Sequence, residues 1–434
     1  MESSNRKIYL KKIHTIAQWV LILFVVLLPF QTRFIALPGS LNGGPWEYGT
    51  VSMYATDLLL LALVVLGLIL RKKQKQVSNS NILALVLLLV AFVSLGLAIN
   101  RINGLFWYAQ LLKGVLLFFS IQWIKPRPRV IAYAWLVSGL IQSVLVHVQF
   151  FTQHVFASKW LGMSAQDPAT LGVTVIESEG QRWLRAYGSL PHPNIAGIFL
   201  VIALIVAIGL FARATSLRAR TVFGLSILVT SSALWLTFSR QSWIALVLMC
   251  LVLVAHVFWS ERRFPVLATV AVLLALLPSI VWTAIHPDLT TTRFSGTQRL
   301  EQQSITDRQE RLQESVPLIR DHWLSGVGIG NYTAVLQARD RDNSIIRSSY
   351  VYQPVHNVYV LVLAELGIAG LFVLLLFLIS IFLPHKKKSS DWAIIWKLSL
   401  LGILVTGLFD HYWWSLAVGI TLFWLIAGLT QQKD

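Results

Sequence analysis

Charged side chains are scarce in this 434-residue sequence. They make up 13% of it, against about 25% in a typical soluble protein, while hydrophobic residues make up 56%. The apolar residues come in runs of about 17 to 25, the length that spans roughly 30 Å of hydrocarbon as a helix. An ordinary soluble protein is therefore excluded. The composition predicts an all-α, polytopic membrane protein with about 12 transmembrane helices.

Cysteine and acidic residues are also few. The single cysteine, Cys250, excludes a disulfide within the chain and a metal site built on cysteines. The 19 acidic residues face 36 basic ones, a net charge of +17. That charge would suit nucleic acid, but the basic residues lie in short clusters between apolar runs, where they act as topology signals. We therefore predict no nucleic-acid partner.

Twelve apolar runs are predicted to be transmembrane helices, because irregular backbone cannot face lipid. The first follows basic residues, as in a signal peptide, but it is long and lacks a small-residue cleavage site, so we expect an uncleaved span. Residues 1–434 are predicted to form a single integral membrane domain. The runs lie near 15–32, 52–70, 82–99, 105–124, 130–152, 192–212, 221–238, 242–260, 264–285, 357–384, 392–408 and 412–430.

The basic clusters orient these spans. With both termini in the cytoplasm, the clusters that follow alternate spans fall on the cytoplasmic side, as the positive-inside rule requires. The two longest loops, 153–191 and 286–356, then lie on the outer side. Their basic residues are arginines except for Lys159. Arginine has a planar fork of donors that suits phosphate, although compositional drift is the alternative explanation.

The second long loop, 286–356, is predicted to be a partly helical extramembrane lid. A helix is expected to start with Thr306 at its N-cap, and Leu312, Val316 and Ile319 would then share one face.

His356 precedes the tenth predicted span, where the second long loop re-enters the membrane. An imidazole at this place can accept a proton from a hydroxyl, so His356 is a candidate general base. The alternative is an interfacial polar residue without a chemical role.

Arg240 lies in the very short outer turn between the seventh and eighth spans, at the membrane surface or slightly within it. Burying a guanidinium is costly unless it is paired. The neighbouring Ser239, Gln241 and Ser242 indicate a polar pocket, whereas the alternative is a snorkelling arginine.

Arg185, His192 and Asn194 lie where the first long loop leads into the sixth span. They are candidates for substrate contact. Since proline and asparagine are common at helix entries, capping is the alternative role for this stretch.

Lys113 and Glu365 lie within predicted spans, where charged residues are functional candidates by default, although a structural ion pair would explain them equally well. Asp410 and His411 lie in the last short outer turn. They either support a catalytic residue or are merely interfacial.

The stretch from Gly326 to Asn331 contains three alternating glycines. A dinucleotide-binding motif is excluded, because the third required glycine is Asn331 and no βαβ unit surrounds it. The stretch is predicted to form a tight turn.

The predicted topology collects a set of polar candidates on the outer side of the membrane: Arg185, Arg240, Arg308, Arg311, His356 and His411. ATP is absent from that side of the membrane, so a reaction there needs a donor that is already activated.

At these residues the sequence resembles the O-antigen ligase and O-antigen polymerase family of bacterial membrane glycosyltransferases. Two positions depart from the family pattern: Leu312 stands where the family often has tryptophan, and Trp323 where it often has proline. The segments that carry the likeness are Arg185 and Gly188 through Pro193-Asn194, then Ser239-Arg240, then Arg308 and Leu312 leading to Gly326–Tyr332, and finally His356-Asn357 with Glu365–Gly370.

The resemblance implies transfer of a glycan from an undecaprenyl-pyrophosphate donor to an acceptor hydroxyl, without a metal or other cofactor. Arg240 and Arg308 would bind the pyrophosphate, and His356 would be the general base. The acceptor would be a glycan, a lipid or a protein. A base and a leaving group on opposite faces of the sugar imply inversion at the anomeric carbon. Further possible substrate contacts are Arg185, Arg311, Lys113, Asn194, Asp410 and His411.

The implied location is the bacterial cytoplasmic (inner) membrane, crossed many times and contacted by its lipids, with the active site on the outer face. An O-antigen ligase and a repeat-unit polymerase share the same donor chemistry, so the sequence leaves both open, with the ligase preferred. A secondary transporter is a more distant alternative, because two related halves with a charged midplane site are expected of that class and are not visible here.

Overall fold

The computed structural model describes residues 2–72, 78–259, 265–383 and 392–432. The predicted basic clusters at Arg262-Arg263 and Lys386–Lys388, and the basic residues Lys73, Lys75 and Lys433, lie outside the described residues.

Helices dominate the described part of the chain, and the strands are short antiparallel pairs in its connections. The helices are α1 (Glu2–Leu27), α2 (Ala55–Leu70), α3 (Asn79–Ser94), α4 (Arg101–Ile124), α5 (Pro128–Thr152), α6 (Pro193–Ala212), α7 (Leu217–Leu236), α8 (Arg240–Trp259), α9 (Pro265–Ile285), α10 (Pro287–Ser295), α11 (Arg299–His322), α12 (Tyr332–Asp342), α13 (Val358–Phe382), α14 (Ala393–Thr406), α15 (Tyr412–Ser415) and α16 (Ala417–Thr430). The strands are β1 (Arg33–Leu37) paired with β4 (Val51–Tyr54), β2 (Ser40–Leu41) with β3 (Gly44–Pro45), and β5 (Val175–Ser178) with β6 (Gln181–Leu184).

Nine of the described helices are long and apolar enough to cross a membrane: α1 from Asn5 onward, α3 to α9, and α13. Three shorter apolar helices, α2, α14 and α16, coincide with the remaining predicted spans. The prediction of an all-α, multi-pass membrane protein is therefore confirmed. The count of twelve spans stays a prediction, because α14 and α16 have 14 residues each, about 21 Å at the usual helical rise.

The last predicted span, 412–430, is not one continuous helix. Leu416 is extended (φ −132°, ψ 134°) and separates the short α15 from α16. The two helices pack closely, because a Cβ on Gly419 would come within 2.1 Å of the Tyr412 carbonyl oxygen. This break folds Asp410 and His411 into the protein, where both are buried.

Helix α6 forms the centre of the membrane domain. It is apolar on all sides because it packs against α5, α7, α8, α9 and α14, and 94% of its most apolar window is buried. Gly197 lets it approach the turn between α7 and α8, since a Cβ there would come within 2.4 Å of the Ser242 hydroxyl. The amino end of α6 is thereby fixed beside that turn.

The 286–356 segment is partly helical, as predicted, but its long helix begins earlier. Helix α11 starts at Arg299 with Gln298 at its N-cap, so the prediction of Thr306 as N-cap is wrong. The predicted apolar face is also wrong for Leu312 and Val316, which are 47% and 58% exposed.

The buried positions of α11 are instead mostly polar. They are Glu301, Arg311, Ser315 and Leu318. The helix docks through the ion pair of Glu314 with Arg347 and through the Tyr332 hydroxyl, which donates to the Arg311 carbonyl. These tertiary contacts, and not an apolar stripe, decide which side of the helix is covered.

The stretch Gly326–Asn331 forms tight turns, as predicted, and enters the membrane domain. Gly326, Gly328 and Gly330 all have positive φ. The backbone N–H groups of Val327 and Gly328 donate to the carbonyls of Ala364 and Glu365, each at 2.9 Å. These contacts lie beside Gly367, which has non-helical angles inside α13.

On its other side this glycine-rich turn contacts the connection between α3 and α4. The Ile329 N–H donates to the Ser94 hydroxyl, and the Asn331 side chain accepts from the Asn100 N–H at 2.8 Å. The turn therefore fastens the 286–356 segment to helices at both ends of the chain.

Replacing Gly328 by alanine should destabilise the protein. Its φ of +95° is unfavourable for any residue with a Cβ, and that Cβ would lie 2.9 to 3.0 Å from backbone atoms of Ser94 and Ala98. We expect a loss of at least about 1 kcal/mol, measured as a lower unfolding temperature of the detergent-purified protein. Gly96→Ala is the matched control, because nothing lies within 4 Å of that position. Equal unfolding temperatures would contradict the close packing.

Candidate active site

The carboxylate of Asp410 is the centre of a buried polar cluster. One of its oxygens accepts hydrogen bonds from the Asn194 amide at 2.9 Å and from the Gln241 amide at 3.4 Å. The other accepts from the His411 backbone N–H at 2.8 Å. Asn194 lies in the first turn of α6, where the partial positive charge of the helix also favours an anion. Asp410 thus joins α6, the start of α8 and the α14–α15 connection.

Arg185 supports this arrangement from behind. Its guanidinium is buried and donates to the Asn194 side-chain oxygen at 2.8 Å and to the Thr237 carbonyl at 3.0 Å. Thr237 lies at the carboxyl end of α7, where carbonyls lack helical partners and cations are favoured. Arg185 therefore orients Asn194 and reaches Asp410 only through it.

His356 lies on the open side of Asp410. Its Nδ1 is 3.8 Å from an Asp410 carboxylate oxygen, and its ring lies 5.0 Å from the ring of His411. The side chain is 23% exposed, and Nδ1 makes no hydrogen bond within the described residues. The imidazole is therefore accessible and only a small shift away from a hydrogen bond to the carboxylate.

A second cluster lies at the other side of the α7–α8 turn. Arg293 of α10 forms an ion pair with Glu301 of α11, in which its Nη1 lies 2.5 and 2.6 Å from the two carboxylate oxygens. Its Nε donates to the Phe238 carbonyl at 2.8 Å. Arg240 lies 3.2 Å from the same Glu301 carboxylate and donates to the Arg293 carbonyl. Glu301 is thus shared between two arginines.

Arg308, also on α11, completes this group. It is partly buried, and within the described ranges its guanidinium has neither a hydrogen bond nor an ion pair. Its charge nevertheless acts on the groups around it. Burial and the neighbouring Arg240 lower the pKa of Arg308, while Asp410 and Glu301 oppose them. Arg308 is therefore near enough to both the Asp410 cluster and the Arg240–Arg293–Glu301 cluster to interact electrostatically with them.

The combined site carries more positive than negative charge. Among the described residues, the carboxylates that act on the arginines Arg185, Arg293 and Arg308 and pair with Arg240 are those of Asp410 and Glu301. Burial, and then the charge of Arg293, lower the pKa of Arg185 well below its ordinary value. Guanidinium groups stay protonated even so, which leaves a desolvated excess of positive charge. An anion at this place would remove that cost, as a phosphate group does when it binds arginines.

The two histidines beside Asp410 differ in accessibility. His411 is buried, its Nδ1 is 2.5 Å from the Ser415 hydroxyl, and burial together with the neighbouring His356 lowers its pKa to about 3. His411 is therefore neutral at pH 7.

Burial would raise the pKa of Asp410, but the approach of His356 and the nearby His411 outweigh it and hold that pKa well below its ordinary value. Asp410 is therefore an anion at pH 7.

His356, Asp410 and His411 also have the composition of a metal site. Each offers one ligand atom, and these atoms lie within 4.8 Å of one another. Imidazole and carboxylate groups suit zinc and related ions. However, His411 Nδ1 already contacts Ser415, and the positive charge of Arg308, which interacts with Asp410, disfavours a cation. The donor set allows a metal, while its electrostatic environment favours an anion.

The structure brings together most of the residues that the sequence predicts for the site. Asp410 and His411 lie at its centre, and Gln241 and the hydrogen-bonded Ser239–Ser242 pair form the predicted polar pocket beside Arg240. Grouped around them in the same cluster are Arg185, Asn194, Arg240, Arg308 and His356.

Three other candidates have different partners. Lys113 forms an ion pair with Asp57 of α2 at 2.8 Å, which is the structural pair considered as its alternative role. Arg311 pairs with Glu314, which also binds Arg347. Glu365 accepts a hydrogen bond from the Trp414 indole at 2.9 Å beside the glycine-rich turn.

Arg293 and Glu301 were missed by the sequence analysis. Arg293 follows three threonines after the ninth span, and no periodic or motif signal distinguishes it from the other arginines of the 286–356 segment. Only the folding of α10 and α11 over the α7–α8 turn brings the two residues to Arg240.

The fold and this site define a multi-pass membrane protein with a largely buried group of arginines near a partly exposed histidine. Residues 225–375 of the chain match the family described as O-Antigen ligase, which supports the resemblance seen in the sequence. Members of this family are glycosyltransferase-like membrane enzymes that use, in general, a lipid-linked glycan donor and a glycan acceptor. No curated protein matches the chain.

The matched region contains one part of the site and not the other. It includes Arg240, Arg293, Glu301, Arg308 and His356. Residues outside it supply the Asp410 carboxylate and two of its donors, Asn194 and the His411 N–H, while the donor Gln241 lies within the matched region.

Proposed function

We propose that this protein transfers a glycan from an undecaprenyl-pyrophosphate donor to an acceptor hydroxyl, in the manner of an O-antigen ligase. The observation that supports this most strongly is the position of Asp410 between an accessible histidine and a group of arginines. A base and an anion site side by side are what an attack on a sugar pyrophosphate requires.

In this proposal His356 is the general base. The acceptor oxygen attacks the anomeric carbon and forms the new glycosidic bond, while His356 takes the hydroxyl proton. Asp410, 3.8 Å from the ring, stabilises the imidazolium that results, as the aspartate of a hydrolase triad does. Asn194, Gln241 and the His411 N–H hold the carboxylate in place for this task.

In this proposal the arginines bind the pyrophosphate leaving group and stabilise its negative charge. The bond between the anomeric carbon and the pyrophosphate oxygen breaks, and the pyrophosphate keeps the electron pair. Fixed guanidinium donors stabilise that growing charge more than they stabilise the ground state. Arg308 has no competing partner within the described residues, so we place it as the main contact. Arg240 shares Glu301 with Arg293 and would add its remaining donors.

This arrangement leads to two chemical expectations. With the base on one face of the sugar and the leaving group on the other, the proposed reaction would invert the anomeric carbon. The arginines take the charge-stabilising role that a divalent cation has in many phosphate-transfer enzymes. We therefore propose a reaction that needs no metal.

The proposed membrane location and orientation follow from the distribution of basic residues along the sequence. The positive-inside pattern places both termini in the cytoplasm and the site on the outer face of the bacterial inner membrane. The lipid-linked donor would be presented there already activated. A repeat-unit polymerase would use the same donor and the same base, and the product distinguishes the two reactions.

The proposed function is tested by mixing the purified protein in lipid with a synthetic undecaprenyl-pyrophosphate oligosaccharide and an acceptor in the presence of EDTA. We expect undecaprenyl pyrophosphate and a glycan product by mass spectrometry, with a single transfer for a ligase and a ladder for a polymerase. Activity that is lost in EDTA and restored by a divalent cation would instead assign His356, Asp410 and His411 as metal ligands.

Replacing His356 by alanine should lower the transfer rate by about 10²- to 10⁴-fold, the usual effect of a general base. The measurement is the initial rate at saturating donor and acceptor. His154→Ala is the control, because His154 is an exposed histidine of the 153–191 loop. Full activity of the His356 variant, with intact membrane insertion, would remove the general-base role.

Replacing Arg308 by alanine should lower the rate by about 10²- to 10³-fold, as the loss of one donor to a developing charge does elsewhere. Arg308→Lys should also be impaired, since lysine keeps the charge without the fork. Arg320→Ala is the control on the same helix, because Arg320 is 76% exposed and pairs with Asp321. Wild-type rates for both Arg308 variants would argue against a pyrophosphate contact.

A further inference from the structure

A cavity of about 460 Å³ lies beside the active site and has no role in the chemistry described so far. Four stretches of chain form its walls. They are the β1–β4 region (Gln31, Arg33, Glu47, Tyr54), the start of the first long loop (155–166), the stretch 187–191, and the start of α16 (416–418).

Two of these walls continue directly into the active site. The stretch 187–191 ends at Pro191, next to His192, and the ring of His192 contacts Tyr187 in the cavity wall with centroids 6.5 Å apart. The other wall begins at Leu416, whose N–H donates to the Tyr412 carbonyl beside His411. The chain segments that line the cavity are therefore the ones that carry Asn194 and His411.

The lining is of mixed polarity. Arg33 and Glu47 form a two-point ion pair with side chains that are 29% and 50% exposed. Lys159, Gln166 and several hydroxyl groups stand beside apolar side chains such as Leu190, Leu416 and Val418. A lipid chain would leave these polar groups without partners. A phosphate would find two basic residues opposed by a carboxylate.

We propose that this cavity is a carbohydrate subsite. A sugar ring has apolar C–H faces bordered by hydroxyls that both donate and accept, and the lining offers partners for each. Its volume lies within the range of about 300–1,000 Å³ that is typical of ligand sites, which suits a short oligosaccharide. This inference rests on the proposed function, because the cavity would hold the sugars next to the bond that is made.

The sugars that occupy the subsite belong either to the acceptor or to the glycan of the donor. Both sources offer the same hydroxyl chemistry, so the experiment varies them separately. The useful variants lie on the rim of the cavity and leave the active-site residues intact.

Ser164→Trp places a large ring at the rim, where Ser164 is exposed, and Gln166→Ala removes one amide from the wall. The matched control is Ala169→Trp, an exposed position of the same loop that does not line the cavity. Rates are measured while donor or acceptor is varied at a saturating level of the other. We expect the Ser164 variant to raise one KM by tenfold or more with kcat little changed, and Gln166→Ala to raise the same KM by less.

The KM that rises identifies the source: a higher acceptor KM assigns the subsite to the acceptor, and a higher donor KM to the donor glycan. Unchanged KM values for both substrates in both variants would overturn the subsite while the transfer function stands. If Ser164→Trp fails to insert or is not monodisperse, Gln166→Ala alone decides.

A binding measurement separates this inference from the proposed function. The glycan is released by mild acid from the lipid-linked donor of cells that lack the enzyme, and its contact with the purified protein is followed by saturation-transfer NMR. We expect binding by the wild type and Ala169→Trp that is reduced in Ser164→Trp, even if no transfer is detected. Absence of binding by the wild type, or binding that Ser164→Trp leaves unchanged, would overturn the subsite.

Discussion

The burial of one carboxylate organises the candidate active site of this protein. Asp410 lies where neither water nor lipid can solvate its charge, so its oxygens must find donors within the protein. Those donors come from α6, from the start of α8 and from the connection before α15. None of these elements could move independently without leaving a buried charge unsatisfied. His356, 3.8 Å from this carboxylate, thus lies beside an anion whose position is fixed.

The arginines obey the opposite constraint, because their charge is only partly compensated. Glu301 serves Arg293 and Arg240, and Arg185 binds neutral oxygen atoms. A chain folded only for stability would pair such groups fully or place them in water. The free-energy cost of this incompletely paired charge is offset by the packing of α10 and α11 over the α7–α8 turn. It prepares the site for an anion, since donors that are already fixed need no reorganisation when the charge arrives.

Much of this was predictable from the sequence. Long apolar runs identify membrane helices because the bilayer accepts little else, and polar residues at their ends marked Arg240, Asn194, His356 and Asp410. Local sequence patterns could not predict which of the distant side chains contact one another. Nothing near Arg293 or Glu301 in the sequence indicates that they meet, since the contact depends on how two helices fold back over a turn. The same limit explains the error at Thr306, a good capping residue that tertiary contacts placed inside α11. It also explains the break at Leu416, within an otherwise continuous apolar run.

The glycine-rich turn has a consequence for the order in which the chain assembles. One side of it contacts Ser94 and Asn100, between two early helices, and the other contacts the Ala364–Gly367 part of α13. During synthesis the early helices enter the membrane long before residue 326 exists. The backbone N–H of Asn100 must therefore form a hydrogen bond with water or a lipid headgroup until Asn331 has been synthesised. The contacts of this turn with Ala364 and Glu365 can therefore form only after α13 has been synthesised.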